Sequence, residues 1–466
     1  MNNGLTSRLS NTYMEPDVII TGAGLTGLTL AFHLTKRGKK VKIVEKNDWV
    51  GGQIRTFEED GFVFESGPNT GAVSYPEVAE LFSALSPACE LEVANENAKN
   101  RLIWKNGRFR ELPSGLIGGI TTSLFTFPDK LKILGEPFRP KGTNPDESVG
   151  ALALRRLGGQ SFVDYAVDPF LSGVYSGDPT TLITRYALPK LYNLEQTYGG
   201  FIKGTFAKMR EPKTERDRLA TKKVFSARGG LSRLTSALAD AIGRENIVLS
   251  AKQVQIHPVD NHWEVTYTSS SGEEKLQASK VVTTVGGYAL PDLLPFIEKD
   301  EISKISNLRY APMVLASVGI KDTGGLRFNA IGGLVPFIEK QDVLGILFPS
   351  DCFQGRAPQA GAIFTFFIGG MRKSHLTQLP DNELTELIIK NFHWMLKFPS
   401  TVSPDLIRIF RHSRAIPQYE LSSGERLKTI DAIQNRYPGL ILAGNIRNGI
   451  GMADRILQAT TIGKEI

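Results

Sequence analysis

A glycine-rich turn is the feature that most constrains how this chain folds. An apolar strand is expected at residues 17–21 and a helix at residues 28–37, and between them the sequence reads Gly22-Ala23-Gly24-Leu25-Thr26-Gly27. In such a strand–turn–helix, the first glycine permits the sharp turn, the second lets the backbone approach a pyrophosphate, and the third lets the helix pack closely on the sheet. The start of the helix offers unpaired N–H groups to the phosphates. Residues 22–27 therefore predict a dinucleotide site.

An acidic residue and a second glycine pair extend this site. The next strand is expected at Val41–Val44, and Glu45 follows it, 18 residues after Gly27. A carboxylate at this position accepts hydrogen bonds from a ribose 2′-OH and disfavours a 2′-phosphate. Lys46 comes next, and Gly51-Gly52-Gln53 lets a second backbone segment approach the same ligand. The dinucleotide is thus expected to lie extended between two backbone segments.

The combination of residues 22–27, Glu45 and the Gly51-Gly52 pair resembles the amine-oxidase and porphyrinogen-oxidase branch of flavoproteins. That resemblance implies FAD as the cofactor. It also implies that a C-terminal helix starts beside the isoalloxazine ring, where the helix dipole would stabilise negative charge on the reduced flavin. Here that helix is preceded by Gly444-Asn445 and Gly449-Ile450-Gly451-Met452. Because no cysteine lies near this run, FAD is expected to be held without a covalent bond.

Further segments resemble the protoporphyrinogen oxidase family, and they follow the family's order along nearly the whole chain. The most specific is Asp168-Pro169-Phe170-Leu171-Ser172-Gly173-Val174-Tyr175-Ser176-Gly177-Asp178-Pro179. The others are residues 64–70, 101–108, 112–115, 344–348, 355–358, 367–370 and 416–419. The resemblance implies oxidation of a porphyrinogen to the porphyrin in haem biosynthesis, through three two-electron transfers to the flavin, with O₂ as the expected acceptor and H₂O₂ as product. The substrate is left open between protoporphyrinogen IX and coproporphyrinogen III.

The same resemblance assigns site residues. Arg101 would bind a propionate, which its guanidinium can do in a bidentate way. The Gly173 carbonyl would accept a pyrrole N–H, and the tetrapyrrole would lie between Leu334, Leu347 and Phe367. Around the cofactor, Val254 would contact the adenine, and a flavin-contacting loop would consist of Gly67, Pro68, Asn69 and Thr70. For the three apolar residues ordinary core packing is equally consistent, and for Arg101 a plain surface position stays open.

The sequence assigns no catalytic acid or base and no metal site. Its six histidines lie in no motif, and His412 is expected to be structural. Arg185 and Arg309 remain candidates for binding further propionates.

The chain departs from the family where Glu425 follows Gly424 in place of a Gly-His pair. It departs again at Arg455, which stands where the family often has cysteine and adds a cation near the flavin end.

The order of expected strands and helices predicts an α/β fold, α+β overall, in which the cofactor domain is discontinuous. A Rossmann-like FAD-binding domain is expected at residues 14–75, 221–290 and 411–466. An inserted substrate-binding β-sheet domain is expected at residues 76–100, 206–220 and 291–410, and a helical region at residues 101–205. The strands expected at residues 247–250, 281–285 and 440–444 would return the chain to the first domain.

The charge and hydropathy of the chain indicate which kinds of binding partner to expect. The net charge of +7 comes from 55 basic and 48 acidic residues that are scattered along the chain, so nucleic acid is not an expected partner. Residues 118–140 mix apolar side chains with lysine and arginine, which fits either a membrane-contacting helical region, as family members often have, or a solvated helix pair. No apolar run reaches the roughly 20 residues of a membrane span, and polar residues 1–15 predict no signal peptide. A cytoplasmic protein is expected, with contact to the cytoplasmic face of a membrane and a homodimer both left open.

Two other functions compete with a porphyrinogen oxidase. One is another flavoprotein of the same branch, such as an amine oxidase or a carotenoid desaturase, which residues 168–179 disfavour. The other is a porphyrin-binding or haem-trafficking protein whose flavin is structural. Reduction of the flavin by a porphyrinogen would separate these alternatives.

Overall fold

A computed structural model describes residues 15–113 and 121–466 of this chain. The expectations for residues 1–14, for residues 114–115 and for the start of the segment 118–140 lie outside the described residues. The described strands are β1 (Val18–Thr21), β2 (Val41–Val44), β3 (Thr56–Glu59), β4 (Phe62–Glu65), β5 (Gly71–Ala72), β6 (Leu91–Val93), β7 (Asn100–Lys105), β8 (Arg108–Glu111), β9 (Val224–Ala227), β10 (Ile247–Val248), β11 (Lys252–Val259), β12 (His262–Ser269), β13 (Gly272–Ala278), β14 (Lys280–Thr283), β15 (Tyr310–Ile320), β16 (Ala330–Leu334), β17 (Val343–Leu347), β18 (Ala362–Gly369), β19 (Leu406–Pro417) and β20 (Leu440–Leu442).

Helices connect and cover these strands. Within the described ranges the α-helices are α1 (Leu25–Lys36), α2 (Pro76–Leu85), α3 (Phe127–Ile133), α4 (Val149–Leu157), α5 (Gln160–Phe162), α6 (Asp168–Val174), α7 (Thr184–Ala187), α8 (Pro189–Tyr198), α9 (Phe201–Arg210), α10 (Glu215–Arg218), α11 (Ser232–Ile242), α12 (Leu290–Leu293), α13 (Lys299–Ser306), α14 (Pro349–Cys352), α15 (Asp381–Leu396), α16 (Ser423–Arg436) and α17 (Met452–Glu465). A π-helical turn, Val163–Val167, joins α5 to α6.

A five-stranded parallel sheet forms the first layer, in the order β10-β2-β1-β14-β20. Numbered along the chain, this order is 3-2-1-4-5, which is the order of a Rossmann sheet. Both faces are buried, because Val18 and Ile20 pack into a core with α1, α11 and α17, while Ile19 packs into a second core on the other face. The sheet draws its strands from three separate parts of the chain, so the predicted discontinuous α/β fold is confirmed.

A seven-stranded sheet forms the second layer, in the order β19-β15-β18-β17-β16-β7-β8. Its pairs are antiparallel except for β16 with β7. One face packs on α15 through a core that includes Trp104, Phe364 and Phe392. The opposite face is turned towards the Rossmann-like part, since Phe410 on β19 stacks on Phe57 of the hairpin formed by β3 and β4.

Two of the predicted domain limits differ from the limits of the two sheets. Strands β7 and β8 belong to the seven-stranded sheet, although the helical region was expected to begin at residue 101. Strand β19 belongs wholly to the same sheet and runs across the expected limit at residue 411. The domain boundaries themselves stay a prediction. Among the described helices, none has both the length and the apolar character required to cross a bilayer.

Helix α1 begins earlier than the sequence suggested. Gly24 is its N-cap residue, with φ −75° and ψ 178°, so the helix starts at Leu25 and its first turn lies inside the glycine-rich segment. The periodicity of apolar side chains only indicated a start at residue 28, because the first turn of α1 is buried against the sheet on more than one side. The backbone N–H groups of residues 25–27 therefore stand at the mouth of the turn, where an anion can accept from them.

Candidate functional site

Two glycine segments meet at the end of β1. The Gly51 N–H donates to the carbonyl oxygen of Ala23 at 2.8 Å, and a backbone bridge joins Gly24 to Gly51. Gly22 has a φ of +103°, a conformation that side-chain-bearing residues rarely adopt. A Cβ on Gly27 would lie 2.0 Å from the Gly22 carbonyl oxygen, so only glycine allows α1 to pack this closely. The structure thus brings together the two segments that the sequence predicts around a dinucleotide.

Glu45 lies at the end of β2 and is 5% exposed. Its Oε2 accepts from the Ala23 N–H at 2.7 Å, and its Oε1 accepts from the Asn47 N–H at 2.9 Å and from the Asn47 side-chain amide at 2.8 Å. Each carboxylate oxygen can accept more than one hydrogen bond. The turn therefore orients Glu45, and one acceptor position, on Oε2, remains for a ribose hydroxyl.

A cleft of about 1670 Å³ opens along the carboxyl ends of β1, β2, β14 and β20. Pockets for drug-sized ligands measure roughly 300–1,000 Å³, so this larger cleft has room for a full dinucleotide. The predicted cofactor residues that line it are Gly22, Gly24, Leu25, Thr26, Glu45, Lys46, Gly51, Gly52, Gln53, Pro68, Val254, Gly444, Asn445, Ile450 and Met452. The predicted cofactor residues that do not line it are Ala23, Gly27, Gly67, Asn69, Thr70 and Gly451.

Two glycines outside the lining support the cleft by close packing. A Cβ on Gly67 would lie 2.0 Å from the Gln53 carbonyl oxygen, in the same way that Gly27 packs on Gly22. Asn69 is 6% exposed; its amide donates to the Gly67 carbonyl at 2.9 Å, and its Oδ1 accepts from the Thr365 hydroxyl at 2.9 Å. Asn69 therefore ties the loop at residues 67–70 to the second sheet. Direct contact of these residues with a cofactor stays a prediction.

The backbone N–H groups at the start of α1 fit the pyrophosphate of FAD. A Cβ on Gly24 would meet no atom within 4 Å, so at this position glycine keeps the approach to the backbone open. The order of the sheet also bears on the direction of the ligand. The predicted ribose contact of Glu45 on β2 would place the adenosine half on one side of β1, and the other half of the dinucleotide would then extend over β14 and β20. On that side the cleft is lined by Asn445, Ile450 and Met452.

The loop at residues 445–451 carries this second half of the site. Tyr419 is 3% exposed, and its hydroxyl lies 3.0 Å from the carbonyl oxygens of both Asn445 and Gly449. Arg426, which is 1% exposed, donates from Nε to the Ile446 carbonyl at 3.0 Å. These two side chains lie 20 to 30 residues before the loop atoms that they bind. The sequence placed Tyr419 in a family segment, residues 416–419, without giving it a role, and it did not indicate Arg426.

The residues expected to bind substrate lie on the face of the seven-stranded sheet that α15 leaves open. Leu347 pairs with Gly332 and Thr365, and Phe367 pairs with Gly345, so the side chains of Leu347 and Phe367 point to the same face. Leu334 shares that face through its pairing with Gly345. A Cβ on Gly173 would lie 2.6 Å from a methyl group of Leu334, so α6 approaches the sheet here.

Arg101 lies towards the other edge of the same face. It pairs with Gly332 across the parallel β7–β16 ladder, which places its side chain on the face of Leu334. Arg101 is exposed and makes no ion pair with any residue that the structure describes. The hydroxyl of Thr365, on this same face, contacts Asn69 of the cofactor loop. The structure thus brings the five predicted substrate residues to one face, next to the cofactor cleft, while their role stays a prediction.

The other two arginines that could bind a propionate, Arg185 and Arg309, each form an ion pair within the protein. Arg185 pairs with Asp146 and stacks on Tyr186. Arg309 pairs with Glu420 at 3.1 Å. Both guanidinium groups already have carboxylate partners, so the structure favours Arg101 over them for binding a substrate carboxylate.

His412 is the histidine nearest the cofactor loop. Its Nε2 lies 2.6 Å from the Ser66 carbonyl oxygen, and because a carbonyl only accepts, Nε2 carries the proton. His412 lines the cleft, and its hydrogen bond to Ser66 joins β19 to the segment that leads into residues 67–70. This geometry fits the structural role expected of His412.

Comparison with known proteins identifies the family. The family model of flavin-containing amine oxidoreductases matches residues 25–457. The chloroplastic protoporphyrinogen oxidase of Nicotiana tabacum is 30% identical over 97% of this chain and 85% of that protein. The chain belongs to the flavin-containing amine oxidoreductase family. FAD is its cofactor, and it is an oxidoreductase, as the sequence predicted.

Two further relatives extend the comparison. The coproporphyrinogen III oxidase of Bacillus subtilis is 24% identical over 95% of this chain and 96% of that protein. The solved structure of a protein from Exiguobacterium sp. 255-15 superposes with a TM-score of 0.78 at 21% identity, covering 96% of this chain and 98% of that one. The first supports the porphyrinogen-oxidase resemblance seen in the sequence of this amine oxidoreductase, and the second supports its fold.

Proposed function

We propose that this flavin-containing oxidoreductase oxidises a porphyrinogen, protoporphyrinogen IX or coproporphyrinogen III, to the porphyrin in haem biosynthesis, with O₂ as the final acceptor. The observation that carries the proposal is the single face shared by Arg101, Gly173, Leu334, Leu347 and Phe367. A porphyrinogen is a broad apolar ring with anionic propionates. This face offers apolar side chains along its centre and, at its edge, the guanidinium of Arg101, which forms no ion pair with any described residue. The named activities of the tobacco and Bacillus relatives support the same proposal.

The chain's own residues bind and orient the substrate in this scheme. Arg101 fixes one propionate through charge-assisted hydrogen bonds. Gly173 stands in the last turn of α6, where helix carbonyls lack intrahelical partners, so its oxygen can accept a pyrrole N–H. FAD, when bound, would accept the electrons. The sheet would hold the tetrapyrrole close to the cofactor loop, to which it is joined by the hydrogen bond from Thr365 to Asn69.

An anaerobic reduction tests this function. The purified yellow protein is mixed with protoporphyrinogen IX or coproporphyrinogen III under argon, and flavin absorbance is followed. Bleaching by one substrate, followed in air by porphyrin fluorescence and H₂O₂, is the expected result. Bleaching by neither porphyrinogen would refute the oxidase proposal and favour a protein whose flavin is structural. Bleaching by an amine instead would favour an amine oxidase.

We also propose that the helical region contacts an anionic membrane surface. On and just after α3, four large apolar side chains are exposed: Phe127 (71%), Leu131 (53%), Leu134 (67%) and Phe138 (87%). Lys130 and Lys132 lie on the same helix. An exposed apolar patch with interspersed basic residues is typical of a helix that lies at a lipid headgroup boundary.

Vesicle sedimentation tests this contact. We expect the protein to bind vesicles of phosphatidylglycerol and phosphatidylcholine, and the double change Leu134→Ser with Phe138→Ser to release it. Leu421→Ser is the matched control, because Leu421 is 63% exposed on a different element. Equal binding of all three proteins, or of none, would refute the membrane proposal. A cytoplasmic location and a homodimer stay predictions.

A further inference from the structure

Arg455 is a buried cation that forms no salt bridge with any described residue. It is 7% exposed, and its Nη2 donates to the carbonyl oxygens of Arg447, Asn448 and Gly449 at 2.8–2.9 Å. Its Nη1 donates to Gln458 at 3.0 Å. All four acceptors are neutral, and the buried Nε has no partner.

Burial lowers the pKa of Arg455 more than the charge of the neighbouring Asp454 carboxylate, which accepts from Tyr75 and from the Gly451 N–H, raises it. A buried charge is normally balanced by an opposite charge, and Asp454 balances this one only in part, so the environment of Arg455 has room for a further anion.

The position of Arg455 says where that anion lies. Arg455 belongs to the first turn of α17 and lines the cofactor cleft beside Ile450 and Met452. This is the side of β14 and β20, opposite the ribose side that Glu45 marks on β2. With the ribose at Glu45, the half of FAD on this side would be the flavin. The N-terminus of α17 points into the same region, and its dipole has the same sign as the guanidinium.

We propose that Arg455 supplies the positive charge that stabilises the reduced flavin of bound FAD, and thereby raises its reduction potential. Transfer of a hydride to the oxidised flavin adds two electrons and one proton, which leaves the ring with one negative charge. A fixed, buried cation lowers the free energy of that charge and has a smaller effect on the neutral oxidised ring. The inference rests on FAD as the cofactor and does not depend on which substrate is oxidised.

A purely structural role for Arg455 makes a different prediction, and Arg426 provides the matched comparison. Arg426 is 1% exposed, donates to the same loop through the Ile446 carbonyl, and also has an unpartnered buried nitrogen. Burial lowers the pKa of both guanidinium groups. Arg426 does not line the cleft. If holding the loop is all that matters, removing either arginine should have the same effect on the flavin.

The test measures the midpoint potential and the FAD affinity of purified, FAD-loaded protein with the changes Arg455→Gln, Arg455→Lys and Arg426→Gln. We expect Arg455→Gln to weaken binding of reduced FAD relative to oxidised FAD about tenfold, which lowers the two-electron potential by about 30 mV. Arg455→Lys, which keeps the charge, should retain most of the wild-type potential. Arg426→Gln, which disturbs the same loop without removing a cation from the cleft lining, should lower it much less than Arg455→Gln.

Three results would overturn the proposal. The first is an unchanged potential in Arg455→Gln, and the second is an equal loss in Arg426→Gln. The third is weaker FAD binding without a change in potential, which would assign Arg455 to the pyrophosphate. Should Arg455→Gln lose FAD during purification, Arg455→His carries the same test, because its charge titrates near neutral pH. Its potential relative to wild type should then fall as pH rises, and a constant difference would refute the charge effect.

Discussion

Removal of Arg356 should destabilise the protein at the junction between its two sheets. Arg356 is 2% exposed and pairs with Glu65, which is 3% exposed, at 3.2 Å. Its Nη2 also donates to the Ser226 hydroxyl at 2.8 Å and to the Ala227 carbonyl at 3.2 Å. Arg356→Met would leave the carboxylate buried without its cation and would leave both other acceptors without this donor. Breaking a buried pair from one side costs about 3–5 kcal/mol, and we expect a loss in that range.

The size of this loss should depend on pH. Burial raises the pKa of the Glu65 carboxyl, while hydrogen bonds from Leu231 and Thr56 and the charge of Arg356 lower it again. Without Arg356 the pKa of Glu65 rises further, so the folded protein holds a proton that the unfolded chain has already released. Stability linked to such a group is lost as pH rises through the raised pKa. The loss on Arg356→Met should therefore be greatest near about pH 8 and smaller near about pH 5.

Urea unfolding, followed by the increase in flavin fluorescence when FAD is released, measures the loss. Arg408→Met is the matched control, because Arg408 pairs with Glu59 on the same hairpin as Glu65 but is 48% exposed. A surface pair of this kind contributes at most about 1 kcal/mol. Adding Glu65→Gln to Arg356→Met should recover about 1–3 kcal/mol. Equal losses in the two arginine variants, or no recovery in the double variant, would show that Glu65 does not need Arg356.

Three further predictions concern the cofactor and substrate sites. Gly27→Ala should destabilise the apoprotein, because its Cβ would lie 2.0 Å from the Gly22 carbonyl oxygen, whereas the Cβ of Gly24→Ala meets no atom within 4 Å and this change should lower only the affinity for FAD. Thermal unfolding and FAD titration distinguish the two variants, and the same effect of both changes in both assays would contradict this prediction. Glu45→Ala should weaken FAD binding by about 1.5–3 kcal/mol, measured by titration of the apoprotein, and unaltered affinity would remove Glu45 from the site. Arg101→Ala should raise KM for the porphyrinogen through a loss of about 1.5–3 kcal/mol, with Arg101→Lys intermediate, and an unchanged KM would dismiss the propionate role.

The cofactor half of the molecule could be predicted from the sequence because its determinants are local. Turn, helix and acidic residue lie within residues 17–45, and the chemistry of a pyrophosphate and a ribose fixes their spacing. The strand at Val41–Val44 was predicted with its observed limits, and β14 and β20 were displaced by only one or two residues. The spacing of apolar residues along the chain predicts such buried strands and amphipathic helices from neighbouring residues alone.

The substrate half could not be derived in the same way. Arg101, Leu334 and Phe367 share a face only because three ladders set their register, and no local pattern specifies which distant strands pair. Resemblance to a family supplied those residues instead. The Glu65–Arg356 pair was missed for the same reason, because its partners are 291 residues apart and each is a common surface residue type.

These two halves meet at one segment, residues 65–70, and this has a consequence for function. The Ser66 carbonyl accepts from His412 and Asn69 accepts from Thr365, so two polar contacts join the segment to the seven-stranded sheet, and Glu65 pairs with Arg356 in the loop that leads into β18. The same segment packs through Gly67 on Gln53, which lines the cofactor cleft. A shift of the substrate sheet must therefore move this loop or break buried hydrogen bonds. In the proposed function, these polar contacts would therefore help to set the distance between the porphyrinogen and the flavin.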